Sequence, residues 1–222
     1  MSVTRKSVLR WSPVVDAELA RAGVPLPRDL ILAVIDVESR GAPGITNPKS
    51  GASGLMQVMP GTLESYNQAH PTTPVSLEEL RSSSAVAAVK QIRVGLWVVS
   101  TYWRGAYRYL AGRLSTVPID ELSRIADLFY VAGPGATRRR LDKLSVPSWA
   151  GVQAAFPTWN ALPHPRNVFA KLDGLQWPLE AIQEWVTTGD SILEDPKTGL
   201  ALAVAGILVT WWMMRDKKGK DQ

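Results

Sequence analysis

The sequence predicts a mainly α fold, a helical domain followed by a C-terminal hydrophobic helix. Three observations predict it. Between residues 84 and 111, Val86, Val89, Ile92, Leu96, Val99, Trp103 and Leu110 recur at threes and fours, the spacing of one helical face. Shorter stretches at 27–40 and 119–132 repeat the pattern between helix start and stop signals. Few segments alternate with period two, which leaves little room for strands.

Taken in chain order, residues 1–26 read as an N-terminal helical extension. In 27–40, Pro27 suits a first-turn position and Asp29 favours the positive end of the helix dipole, while Gly41, Pro43 and Gly44 stop the helix. Residues 54–68 read as a second helix, interrupted near Pro60-Gly61. The helix at 84–111 carries Lys90, Arg93, Arg104 and Arg108, too many charges for a membrane span. The helix at 119–132 opens with Pro118 and Asp120 and closes at Gly133-Pro134-Gly135. From Pro157 the chain turns proline-rich (Pro157, Pro163, Pro165, Pro178), reading as a border. Residues 176–198 then read as a linker with a short amphipathic helix.

The run Gly199–Met214 contains no charge and is expected to be a transmembrane helix. Its sixteen residues reach about 24 Å as a helix, short of the roughly 30 Å hydrocarbon core. Snorkelling of Lys197, Arg215, Lys217, Lys218 and Lys220 shortens that gap, and Trp211 and Trp212 sit where an interfacial aromatic belt belongs. The alternative is a buried core helix. Residues 215–222 form a basic tail.

With 45% hydrophobic and 20% charged residues, the composition is that of a folded protein. A formal charge of +5 allows an anionic partner, and peptidoglycan, a phospholipid surface and nucleic acid all satisfy it. The absence of cysteine excludes disulfides, thiol catalysis and zinc-thiolate sites. His70 and His164 are too few for a histidine-rich metal site, so neither metal nor cofactor is expected.

Glu38 is the residue that breaks the pattern. Projected at 100° per residue, Leu30, Ile31, Val34, Ile35 and Val37 share one broad stripe, and Glu38 falls inside it. Asp36 points to the opposite face. A carboxylate on an apolar face loses solvation, which favours its protonated form and equips it to donate a proton near neutral pH. A helix-end Glu that snorkels to water or meets Arg40 is the plainer alternative. Beyond it, Gly41 to Ser50 is turn-rich, so the chain can bend back across the helix end. In Gly51 to Pro60, small residues permit close backbone approach to a ligand, and Gln57 offers donor and acceptor groups to sugar amides and hydroxyls. No lysine follows in the spacing of a phosphate loop, so nucleotide binding is disfavoured.

The stretch Val34–Thr62, with Glu38-Ser39 at a helix end and Gly54-Leu55-Met56-Gln57 after a loop, resembles the soluble lytic transglycosylases, which are related in fold to goose-type lysozyme. Further along, Phe129-Tyr130-Val131-Ala132-Gly133-Pro134-Gly135 is similar to the family's Ala-Tyr-Asn-Ala-Gly-Pro-Gly. Gln91-Ile92-Arg93-Val94-Gly95 resembles its Asn-Ile-x-x-Gly helix start. The order of these motifs across roughly residues 28–172 carries the likeness, and the resemblance implies a lysozyme-like transglycosylase domain over 27–175. Two positions depart from the family pattern: Val131 stands for Asn, and Val168 in Arg166-Asn167-Val168-Phe169 stands for Tyr.

The resemblance implies cleavage of the bond between N-acetylmuramic acid and N-acetylglucosamine with Glu38 as the single catalytic acid and base. It places Ser39, Ser50, Gly54, Leu55, Met56, Gln57, Tyr130 and Gly133 around the glycan strand. Residue chemistry leaves alternatives open for several of them. Ser39 and Ser50 suit capping and turns as well as orienting Glu38 or a sugar amide. Gln57 and Tyr130 suit helix packing and core as well as substrate contact. Trp97, Trp103, Trp149 and Trp159 can stack on sugars or fill core, and Arg138-Arg139-Arg140 can be a solvated face or an attractor of anionic wall peptide and lipid headgroups.

Two other functions compete: a lysozyme-like hydrolase on the same fold, and a membrane-anchored wall-binding protein with weak or no turnover. Nucleic acid is not expected as a partner, its case resting on charge alone. Residues 1–10 carry Arg5, Lys6 and Arg10 without an apolar run behind them, which is not a secretory pattern. The basic tail after Met214 prefers the cytoplasmic side, which puts the domain outside. The expected setting is therefore a bacteriophage particle, with virion components as neighbours and an internal viral membrane as anchor, acting on the host wall during genome delivery. The host inner membrane is the alternative.

Overall fold

Proline at the N-cap or in the first turn marks many of the helix starts. A computed structural model describes residues 5–172 and 175–188, and among them it contains helices but no strand. Two isolated bridges, Thr46 with Ser53 and Ser53 with Val58, are the nearest approach to a sheet. The chain divides into two units, residues 1–100 with 167–189 and residues 101–166 with 190–222.

In the first unit, α1 (Lys6–Leu9) and α2 (Ser12–Ala22) both pack against α3 (Arg28–Ser39). The extension expected at 1–26 and the start of the domain expected at 27 fall in this same unit. Pro27 occupies the N-cap of α3 in an extended conformation, and Asp29 lies in the first turn as expected. Every side chain from Leu30 to Asp36 is buried. A helix apolar on nearly all sides is packed on nearly all sides, so the two-faced projection describes α3 poorly. Asp36, expected on the opposite face from the apolar stripe, is buried too, at 7% exposure.

The expected helix at 54–68 begins instead at Pro60, as α4 (Pro60–Ala69). Gly54 and Gln57 adopt left-handed φ of 82° and 45°, which breaks helical continuity, and proline lacks the N–H that a first-turn position leaves unpaired anyway. A short helix, α5 (Leu77–Arg81), follows on a reciprocal cap between Ser76 and Glu79. Val58, Leu63, Tyr66, Val75, Leu80 and Val94 form a core cluster with half-buried Leu77 and Trp97 against it. The long helix α6 (Ala85–Ala111) starts within one residue of its expected position. Glu18 on α2 is tied to α6 by two hydrogen bonds from Arg93, at 2.8 and 3.0 Å, and a third arrives from Arg21 at 2.7 Å. Burial pushes the Glu18 carboxyl up, but the bonds from Arg93 and Arg21 outweigh it and hold it below its ordinary value.

In the second unit, α7 (Ile119–Ala132) packs against α8 (Pro134–Leu141) and α9 (Trp149–Ala155). Gly133 closes α7, and Pro134 opens α8 at once rather than a loop. Trp103, Trp149 and Trp159 are buried. Of the three consecutive arginines, Arg138 and Arg139 are exposed, while the Arg140 guanidinium lies 4.1 Å from the centre of the Trp159 ring.

Within the proline-rich border, Pro163 and Pro165 fall in the first turn of α10 (Pro163–Phe169). Prolines in a first turn remove no helical hydrogen bond, and Trp159, Ala161, Leu162 and Val168 are buried. An amphipathic α11 (Leu179–Thr188) follows, with Ile182, Trp185 and Val186 buried, inside the segment read as a linker. The expected transmembrane helix at 199–214 and the basic tail at 215–222 lie outside the described residues. Among the described residues no helix is long and apolar enough to cross a membrane.

Candidate active site

Glu38 is the penultimate residue of α3 and is half-buried, following the enclosed run Leu30 to Asp36. Ser39 is buried, and its hydroxyl is engaged by the helix end itself. It donates to the Ile35 carbonyl at 3.1 Å and accepts from the Gly41 amide at 3.2 Å. Of the two roles open to Ser39, capping is the one its geometry fills.

Arg40, with φ of 54°, turns the chain out of α3. Arg40 and Gln57 are the two non-glycine residues with left-handed φ among the described residues, and they bracket the loop between α3 and α4. Such conformations cost about 1–3 kcal/mol each and persist where the surroundings over-determine them. Here the surroundings are hydrogen bonds within the loop. Ser53 and Val58 exchange backbone bonds at 3.0 and 2.9 Å, Asn47 donates to the Ala52 carbonyl at 2.8 Å, and Gly54 donates to Ile45 at 2.9 Å. The Ser50 hydroxyl accepts from the Ala52 amide at 3.2 Å, a turn-forming role.

Gly54, Leu55, Met56 and Gln57 form one turn of that loop. Leu55 and Met56, which the resemblance places around the glycan strand, have fully buried side chains that serve as the turn's apolar anchor. Gln57 is half-buried, and its Nε2 donates to the Ile45 and Gly54 carbonyls at 3.1 and 3.0 Å. Both amide hydrogens are thus engaged within the loop, and the carbonyl Oε1 is the group of Gln57 that suits a sugar donor.

Sequence reasoning set Gln91 aside as part of a helix start; the structure makes it the keystone of this loop. It has no exposed surface, and all four of its hydrogen-bonding positions are used. Its Oε1 accepts from the amides of Leu55 at 3.0 Å and Gly44 at 3.3 Å. Its Nε2 donates to the carbonyls of Ser82 at 2.7 Å and Glu79 at 3.1 Å. The signal available in the sequence was an amide one turn from Ala88 and Gly95, on the face where α6 is small and apolar.

Asp36 is the second residue the sequence misplaced. Arg5 donates to its Oδ1 at 2.7 Å and Lys171 contacts its Oδ2 at 2.8 Å. Burial alone would raise this carboxyl, but the bonds from Lys171 and Arg5 prevail and hold it below its ordinary value. The acid nearest Glu38 in sequence is therefore an ionised, doubly paired structural group.

Tyr130 and Gly133 belong to the second unit. Tyr130 is half-buried and meets Tyr102 edge-on, with ring centres 6.2 Å apart, and lies 5.9 Å from the His164 ring. His164 in turn pairs with buried Asp127 at 2.8 Å. Val131 and Val168, the two departures from the family pattern, are both core residues here. Among the described residues no cluster of His, Asp or Glu suited to a metal ion occurs.

Residues 18–96 match the transglycosylase SLT domain. The SLT segment runs from within α2 to within α6 and so contains Glu38, the strained loop, the Gly54–Gln57 turn and Gln91. The Glu18–Arg93 pair ties its two ends together. Arg5, Lys171 and the second unit lie outside it. Comparison with curated proteins finds no match for the chain.

Proposed function

We propose that this chain is a peptidoglycan lytic transglycosylase in which Glu38 serves as both acid and base. One observation carries the reading. Inside the SLT segment, the end of α3 presents Glu38 half-buried, while Asp36 is locked between two cations. A hydrolase of the usual kind needs a second carboxylate to act as nucleophile or to activate water. A transglycosylase needs one.

In the proposed step, protonated Glu38 gives its proton to the glycosidic oxygen between N-acetylmuramic acid C1 and N-acetylglucosamine. That C1–O bond breaks, and the electron pair stays with the leaving oxygen. The Glu38 carboxylate then takes the proton from the muramic acid 6-hydroxyl, whose oxygen bonds to C1. The product is a 1,6-anhydro sugar, no water is consumed, and Glu38 returns protonated. The Gly54–Gln57 turn, fixed from beneath by Leu55, Met56 and Gln91, is the group we assign to holding the strand, with Gln57 Oε1 accepting from a sugar N–H or O–H.

Mass spectrometry of wall digests tests this. Anhydromuramic ends in the released fragments support the transglycosylase; reducing ends alone would establish the lysozyme-like hydrolase instead. We further propose that the apolar run 199–214 anchors the enzyme in a membrane, with the basic tail on the side opposite the domain. Placement in a phage particle, for opening the host wall, is tested by proteomics of purified particles: presence supports it and absence overturns it.

A further inference from the structure

The residues that hold the end of α3 come from a part of the chain the SLT match does not include. Just beyond the end of α3, the carbonyls of Arg40 and Gly41 take hydrogen bonds from α1 and the residues after it. Ser7 Oγ donates to the Arg40 carbonyl at 2.7 Å. The Gly41 carbonyl receives two bonds, from Trp11 Nε1 at 3.0 Å and Arg10 Nη2 at 3.1 Å. Trp11 is itself buried, with the Arg10 guanidinium 4.6 Å from its ring centre. The approach is close enough that a Cβ on Gly41, whose φ is 79°, would stand 2.3 Å from the Ser7 carbonyl oxygen. One turn earlier on α3, Arg5 reaches Asp36.

We propose that residues 5–11 are a positioning clamp for Glu38, an inference that rests on the reading of Glu38 as acid and base. The acid sits on the last turn of α3, and terminal turns fray unless something outside the helix holds them. Arg40 must stay left-handed for the chain to leave α3 toward the Gly54–Gln57 turn, a conformation that an arginine adopts only under constraint. The bonds to the Arg40 and Gly41 carbonyls supply that constraint at the two residues following Ser39. Ser7, Arg10 and Trp11 touch no substrate in this account; they act through the helix end. Loss of the clamp lowers the chemical step, which depends on the placement of a single proton donor, more than it lowers glycan binding.

The experiment uses the full chain with Arg10→Met and Trp11→Phe combined, which keeps apolar bulk and removes both donors to the Gly41 carbonyl. Rates over a range of soluble glycan-strand concentrations are compared with thermal unfolding, and two controls run alongside. Ser148→Ala breaks the cap of α9, a destabilisation within the second unit. Glu38→Gln tests the underlying reading. The expected result is a kcat at least about tenfold lower with KM within about twofold, while Ser148→Ala lowers Tm without that loss of kcat. Unchanged kcat in the folded double variant overturns the clamp, as does a kcat loss matched by Ser148→Ala at equal Tm. If Glu38→Gln is inactive while the double variant has full activity, only the clamp fails; if Glu38→Gln is fully active, the reading of Glu38 fails and the clamp with it.

Discussion

Gln91 on α6 accepts a hydrogen bond from the backbone amide of Leu55 at 3.0 Å, and so fixes the turn that follows the α3 loop. The same side chain holds Gly44 at the near end of that loop and the carbonyls of Glu79 in α5 and Ser82 at its C-cap. Three chain segments thus meet at one buried amide. Gln91→Leu keeps the volume but leaves two amides and two carbonyls without this partner. A buried orphan costs about 1–3 kcal/mol, so a loss of at least about 3 kcal/mol is expected in urea unfolding, together with loss of activity. A change under about 0.5 kcal/mol would show that water replaces the amide without cost.

Gly95 and Met56 form a second support for the same turn. A Cβ on Gly95 would lie 2.3 Å from Met56 Sδ and 2.7 Å from its Cβ. Helix propensity favours alanine over glycine by about 1 kcal/mol, yet overpacking a full core costs about 1–3 kcal/mol. The clash is expected to win, and Gly95→Ala to destabilise. Met56→Ala opens a cavity and costs about 2–5 kcal/mol on its own. Combined, the two changes cost less than their sum, because the new methyl occupies part of the cavity. A double-mutant cycle by chemical denaturation measures that coupling, and strict additivity would contradict the contact.

The Asp36 pairs predict a pH dependence of stability. Because its carboxyl lies below the ordinary value of 3.8 in the fold, the unfolded chain binds its proton first on acidification. Its contribution is therefore complete above the unfolded pKa and is lost as pH falls through the lower folded value. The stability gap between wild type and Asp36→Asn is expected to be level from about pH 7 to pH 5 and to narrow below about pH 4. Denaturation series at several pH values check it; a gap that widens on acidification would give Asp36 the opposite shift.

Local signals carried much of this fold. The bounds of α7 match their sequence expectation, and those of α3 and α6 do so within about a residue, because prolines, glycines and apolar spacing act within one helical turn. The misjudged features depend on what packs where. Asp36 looked solvent-facing because a helical projection assumes one wet side, whereas α3 is enclosed by α1, α2 and the segment carrying Lys171. The prolines near 163 read as a border because composition does not reveal that they fall in the first turn of a helix. In the site, Glu38 and the Gly54–Gln57 motif were legible as residue types in order. The burial of Leu55 and Met56, and the dependence of both loop ends on Gln91, follow from contacts more than thirty positions apart in sequence.

The central claim is that Glu38 moves the proton. Initial rates of fragment release from purified peptidoglycan, wild type against Glu38→Gln, test it most directly, with circular dichroism confirming that both are folded. General acid–base catalysis contributes about 10²–10⁴-fold, so the account predicts a loss of at least about a hundredfold in Glu38→Gln. Equal rates in the two folded proteins would contradict it.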